Sequence, residues 1–329
     1  YAMILFVWGE RKIPIQNVSN GIEITDSIMY DLKFKDGDKI LAIDNEPIVY
    51  YDDILTKLIT GENVKIERNG KEQTIDLPVD LIGKLVKKKK KGIFLFLPRV
   101  PVIVGEVPDT TNASKAGLKK FDRIVAVDSV PVIFYDEMKQ AFNSRKGDSI
   151  NLVVQRNNRM DTLHTMITKD GTVGFFRFID TDVWDSLGLI KVEKKSYGFF
   201  ESFPAGVKLA VKKLNDYIEQ FKKILSPKTE AYKGLGGFGS MASAFPSVWD
   251  WQSFWSLTAF FCVALAFMNI LPIPALDGGH VLFTLLEMIT GRKPSQKFLE
   301  YAQVAGMILL LSLVLYVNGN DWFGWGKGK

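Results

Sequence analysis

The pattern of hydrophobic and polar positions divides the chain into two unlike parts. From residue 10 to 230 short apolar runs alternate with lysines and acidic residues, whereas 251–276 and 301–320 contain no Asp, Glu, Lys, Arg or His. Each of these stretches is about the length that carries a helix across some 30 Å of hydrocarbon, so two membrane spans are predicted. The chain also opens on the uncharged run YAMILFVW ahead of Gly9, Glu10, Arg11 and Lys12. Eight such residues read as the last turns of another membrane helix, whose earlier part is expected upstream of Tyr1. Farther on, Val207, Val211, Leu214, Ile218, Phe221 and Leu225 fall at alternating spacings of four and three, with Lys208, Lys212, Lys213, Lys222 and Lys223 beside them. That spacing predicts a basic amphipathic helix, expected in the lipid interface, ended by Pro227 and followed by the glycine-rich 234–239.

Between residues 13 and 170 the pattern repeats. Asp38-Lys39-Ile40-Leu41-Ala42-Ile43-Asp44 aligns with Asp122-Arg123-Ile124-Val125-Ala126-Val127-Asp128, and Pro47 with Pro131; Leu32-Lys33 is set beside Leu118-Lys119. After each proline a helix is predicted, over Asp52 to Ile59 and Asp136 to Phe142. Two strand-forming runs then flank Asn69-Gly70 in one copy and Asn157-Asn158 in the other. Each copy is therefore a small strand, helix and hairpin module, and the five lysines from Lys87 to Lys91 read as a solvated linker between them.

Composition narrows the chemistry. A single cysteine, Cys262, excludes an internal disulfide and a thiolate zinc cluster, and two histidines, His164 and His280, leave little for a histidine-rich metal site or a catalytic triad. Net charge is +5, and the basic residues are interspersed with acids, so nucleic acid is not expected as a partner.

The candidate chemistry lies in Asn269-Ile270-Leu271-Pro272-Ile273-Pro274-Ala275-Leu276-Asp277-Gly278-Gly279-His280. Prolines at alternate positions cannot continue an α-helix, so backbone carbonyls at the end of an apolar span lose their donors. Such irregularity is tolerated at membrane depth only against protein or a water-filled cavity. Asn269 just before the break and Asp277 just after it supply polar groups there, and an ionisable residue in that place is a functional candidate.

The Ala116-Gly117-Leu118-Lys119-Lys120-Phe121-Asp122-Arg123-Ile124 segment and its first-copy counterpart, Leu32 to Ile40, resemble the signature of PDZ domains in bacterial envelope proteases. The N-x-x-P-x-P-x-L-D-G-G-H string resembles the second signature of the site-2 protease family of intramembrane zinc metalloproteases, and with the tandem repeats it is most similar to the bacterial RseP-type branch. The resemblance covers nearly the whole chain. It implies a multi-domain membrane protein with an α-helical transmembrane domain and two small α/β PDZ-like domains. It also implies a Zn²⁺ site in which Asp277 is the third ligand, beside two histidines of an H-E-x-x-H helix whose glutamate is the general base. Asn269 would hold substrate backbone or the developing oxyanion, and Pro272, Pro274, Gly278 and Gly279 would shape the backbone around it. No H-E-x-x-H occurs between Tyr1 and Lys329, so the catalytic base has no candidate in this chain and is expected on a helix outside it. His280 belongs to the ordinary family string, and His164 reads as a strand residue.

The organisation expected is 1–9 as the end of a membrane helix, 10–84 and 97–178 as PDZ-like domains, and 85–96 as a basic linker. Residues 179–246 would hold the amphipathic helix and a membrane-associated loop, and 247–329 the transmembrane domain. Arg292, Lys293 and Lys297 put the 277–300 connection on the cytoplasmic side of a bacterial inner membrane, with the PDZ-like domains in the periplasm. The implied activity is cleavage within the transmembrane segment of a single-pass membrane protein already trimmed on its outer side, of the anti-sigma-factor or remnant-signal-peptide type, with the PDZ-like domains restricting access by size. The alternative is a non-catalytic membrane-tethered PDZ scaffold that binds peptide C termini.

Overall fold

The computed structural model describes residues 1–87, 94–246 and 248–325; Lys88 to Lys91 of the expected linker lie outside them. The chain falls into two compact units, one of Arg11–Leu77 and Lys90–Lys194, the other of Tyr1–Glu10, Pro78–Lys89 and Lys195–Lys329.

In the first of these units the repeat is present as two antiparallel sheets of one topology. The strand order is Glu46–Pro47, Lys39–Ile43, Asn63–Arg68, Lys71–Asp76 in one, and Val130–Pro131, Arg123–Val127, Ser149–Arg156, Arg159–Met166 in the other. Both hairpins turn where expected: Asn69 and Gly70 have φ of 52° and 74°, and Asn157 and Asn158 have 48° and 61°, the positive values that a two-residue turn of this type needs. Helices Ile54–Thr60 and Tyr135–Asn143 lie close to the predicted bounds. They bury Ile54 and Leu58, and Met138 and Phe142, in the two copies.

The aspartate of the signature and an arginine at the end of a later strand close both modules. Asp38 and Asp122 are buried, and each carboxylate receives two hydrogen bonds from one guanidinium, Arg68 at 2.7 and 2.7 Å and Arg156 at 2.7 and 2.6 Å. The same arginines donate to the carbonyls of Lys33 and Gly117, both at positive φ, and the backbone N–H groups of Lys35 and Lys119 donate to the two aspartates. This geometry corrects the alignment. Lys33 answers to Gly117 and buried Phe34 to buried Leu118, so Leu32-Lys33 and Leu118-Lys119 are not equivalent.

The expected boundaries also move. Phe96–Pro98 pairs with Ile22–Ile24 of the first copy, and Phe176–Arg177 with Val104–Glu106 of the second. The first module thus ends its continuous part at Leu77 rather than 84 and takes back a strand from beyond the linker, because Ile22–Ile24 is buried and needs a ladder partner on that side. Residues 179–194 belong to this unit as well: Trp184, Ile190 and Val192 pack with Ile13, Val18, Leu97 and Val100.

The other unit is helical. Helix Phe199–Leu225 begins eight residues before the predicted Val207 and contains Pro204. Gly206 lets it touch the Ala2–Trp8 helix, since a Cβ there would stand 2.5 Å from the Ala2 nitrogen. Part of the apolar face expected to meet lipid instead meets protein: Tyr217 lies edge-on to Phe260 and Phe267, and Phe221 to Phe267. Helix Leu81–Lys87 packs on residues 227–234, where Glu230 pairs with Lys87 at 2.9 Å and Lys233 at 2.6 Å. Among the described residues two helices are long and apolar enough to cross a membrane, Trp251–Ile270 and Gln296–Phe323. Between them the predicted 277–300 loop is wrong, for Asp277–Thr290 is a helix. Its apolar Val281, Leu282, Leu285, Leu286, Met288 and Ile289 carry helical spacing that the absence of a full-length span obscured.

Candidate active site

Helix Trp251–Ile270 starts on Asp250, whose carboxylate accepts from the Ser253 N–H at 2.7 Å, and it stops because Leu271 precedes Pro272 and is driven to extended geometry, with ψ at 141°. The six residues from Leu271 to Leu276 then fold back on themselves. The N–H of Ile273 donates to the Leu271 carbonyl at 2.7 Å, that of Leu276 to Ile273 at 3.0 Å, and that of Gly279 to Leu276 at 3.0 Å. Ala275 sits at φ 81°, a left-handed conformation that costs a residue with a Cβ about 1 kcal/mol. Asp277 is the first residue of the next helix.

Glycines wall this break. A Cβ on Gly278 would lie 2.4 Å from the Ile270 carbonyl oxygen and 2.3 Å from that of Leu271, and one on Gly279 would lie 2.5 Å from that of Ile273. Both glycines are buried. From the other side comes Gly306 of helix Gln296–Phe323, where a Cβ would stand 1.6 Å from the Pro274 carbonyl oxygen. The predicted Pro272, Pro274, Gly278 and Gly279 are therefore brought together as the frame of the break, and Gly306 is a member that sequence reasoning passed over. A glycine within a membrane-length run was the available signal, since small residues there mark close helix contact.

Asn269 and Asp277 flank the frame, both exposed. No hydrogen bond joins them, and neither side chain has a partner among the described residues. The carboxylate of Asp277 is thus free to bind a cation, and its hard oxygen suits Zn²⁺. Among the described residues no group of three His, Cys, Asp or Glu side chains could hold a metal. His280 is exposed and contributes its carbonyl to Thr284, and His164 lies in the last hairpin of the second repeat, 3.2 Å from Asn151.

A second polar cluster, also unforeseen, ends the last helix. The Asp321 carboxylate accepts from the N–H groups of Gly237 at 2.8 Å and Ser240 at 2.9 Å and from the Ser240 hydroxyl. Asn320 donates to the carbonyls of Lys233 and Leu235, Asn318 accepts from the Phe238 N–H, and the Tyr316 hydroxyl donates to the Tyr232 carbonyl. These bonds fix the glycine-rich segment and its short helix Phe238–Ser243.

Comparison with known proteins gives a consistent result. A protein of Campylobacter jejuni named as a zinc metalloprotease is 31% identical over 232 residues, 66% of this chain and 59% of that protein. The regulator of sigma E protease of Haemophilus influenzae is 26% identical over 242 residues, covering 70% of this chain and 52% of its own. A Neisseria meningitidis protein, also named as a zinc metalloprotease, is 25% identical across 90% of this chain and 69% of its own. The chain thus spans about three fifths of the length of the first of these relatives. A solved PDZ domain of an SdrC-like protein from Listeria monocytogenes aligns with 26% of this chain and 90% of its own at 22% identity, with a TM-score of 0.22. The profile of peptidase family M50 matches residues 1–313, and the chain belongs to that family, the site-2 proteases.

Proposed function

We propose that this chain is the larger part of an intramembrane zinc endopeptidase, in which Asp277 supplies one metal ligand and the remaining donors and the general base come from an H-E-x-x-H helix outside these 329 residues. The observation that carries the reading is an unpartnered, exposed carboxylate set at a glycine-walled break that ends one helix of membrane-crossing length and packs against Gly306 of another. One carboxylate fits a catalytic zinc as a single corner, since such sites take three protein ligands and leave a place for water. Zinc bound there would acidify that water and polarise a carbonyl. The chain's own residues have separate tasks. Asp277 contributes its oxygen to the metal, Asn269 offers an amide N–H and carbonyl to substrate backbone or to the developing oxyanion, and the break keeps helical packing away from both.

The substrates proposed are transmembrane segments of membrane proteins already shortened on the outer face, of the anti-sigma-factor or remnant-signal-peptide type, with the two repeats limiting access by size. The setting proposed is the bacterial inner membrane, with the repeats in the periplasm and the basic Arg292, Lys293 and Lys297 near the cytoplasmic surface. Likeness to a regulator of sigma E protease supports this reading. The test is Asp277→Asn in the full-length protein, with zinc content and cleavage of a transmembrane substrate measured together. Loss of both with an unchanged melting profile is expected; full turnover with full zinc would refute the assignment.

A further inference from the structure

The two repeats are joined by reciprocal ion pairs. Arg99, whose N–H donates to Gly21 of the first repeat, reaches Asp136 of the second at 3.0 and 2.6 Å and Glu137 at 3.0 Å. In the opposite sense Glu23 of the first repeat receives both arms of Arg177 of the second at 2.5 and 2.6 Å, and Arg177 lies 3.9 Å over the Tyr135 ring. Glu23 is 2% exposed and Arg177 is 12% exposed by side chain, so this pair is largely buried. Beside it is a cavity of about 540 Å³, lined from the first repeat by Tyr30 and Asp36 and from the second by Tyr135 and Lys139.

The shared fold requires neither partner. Ile22 and Val104 occupy matching places, since their N–H groups bond the carbonyls of Asp38 and Asp122, and that puts Gly105 where Glu23 stands. Arg99 and Phe178 match through their bonds to the Gly21 and Ile103 carbonyls, which puts Pro98 where Arg177 stands. Glu23 and Arg177 are additions that act between the repeats. Burial pushes the Glu23 carboxyl up from its ordinary value, Arg177 opposes this, and the neighbouring charges of Asp136 and Asp36 add to the rise. A buried pair of this kind gains little net stability while intact, yet stranding one member is strongly unfavourable.

We propose that Glu23 and Arg177 form a latch that, while closed, fuses the repeats into one body and caps the cavity between them. Opening it parts the repeats at that cavity. The latch thus ties the spacing of the repeats to one buried ion pair, whatever chemistry the membrane unit performs.

The test uses the whole chain in detergent micelles on a Cys262→Ser background, with spin labels at Lys71→Cys and Arg159→Cys, both exposed hairpin positions in different repeats. Pulsed electron spin resonance reads the distance between them. The parent should give one narrow distance, and Glu23→Gln or Arg177→Met should add a second, longer one while near-ultraviolet dichroism stays unchanged. The double variant Glu23→Leu with Arg177→Met, which strands no charge, should return to the narrow distribution. Single variants that keep the parent distribution overturn the proposal. So does a double variant as broad as the singles, because lost packing and not a stranded charge would then open the interface.

Discussion

Gly306→Ala is the sharpest probe of the break. In an isolated helix this substitution is favourable by about 1 kcal/mol, because glycine is the poorer helix former. In this structure the new methyl carbon would stand 1.6 Å from the Pro274 carbonyl oxygen. A carbon and a carbonyl oxygen approach to about 3.3 Å at closest, so the last helix or the break must shift by about 1.7 Å. Both sides of the contact are backbone and cannot swing aside as a side chain would. Overpacking of this kind costs about 1–3 kcal/mol, and the overlap places this case at the upper end, for a net loss of about 2 kcal/mol. The functional effect should be larger than the stability effect, since misplacing reacting groups by about 1 Å can cost on the order of 100-fold in rate. Thermal unfolding in detergent, followed by circular dichroism, measures the first quantity; cleavage of a transmembrane substrate by the full-length protein measures the second. Ala305→Leu, on the exposed side of the same turn, is the control and should leave both unchanged. A Gly306→Ala variant that is more stable by about 1 kcal/mol and turns over normally would refute the packing of Gly306 on Pro274.

Two further outcomes follow from the polar clusters. Arg156→Ala should cost about 3–5 kcal/mol in chemical unfolding of the second repeat, because it leaves the Asp122 carboxylate buried and unpaired; a loss below about 1 kcal/mol would mean that the pair is solvated. Asp321→Ala removes the acceptor for two N–H groups and a hydroxyl, and should raise amide exchange at Gly237 and Ser240 by at least tenfold, corresponding to about 1.4 kcal/mol, with the sheet amides of both repeats unchanged. Unchanged exchange at those two amides would show that the glycine-rich segment is held by something else.

The parts of the fold visible in the primary structure are those set by local periodicity and turn chemistry. Asn69-Gly70 and Asn157-Asn158 announce hairpins because their residues tolerate positive φ, and the runs free of charge announce long apolar helices. The Pro272, Pro274, Asp277, Gly278 and Gly279 string likewise announces a break, because proline forbids continuation wherever it falls. What was misplaced depends on partners distant along the chain. The return of Phe96–Pro98 to the first repeat could not be read from a strand whose mate lies some 70 residues earlier, and the helix Asp277–Thr290 was hidden by being too short to span.

The sequence alone therefore determined the repeats, the broken apolar helix and the carboxylate beside it, since each follows from the conformational limits of the residues at those positions. Only the tertiary structure decided that Gly306 presses on Pro274, that Asp321 pins the glycine-rich segment, and that Glu23 meets Arg177. These contacts join residues 32, 84 and 154 positions apart, and which distant groups meet is fixed by packing, not by the preferences of either residue.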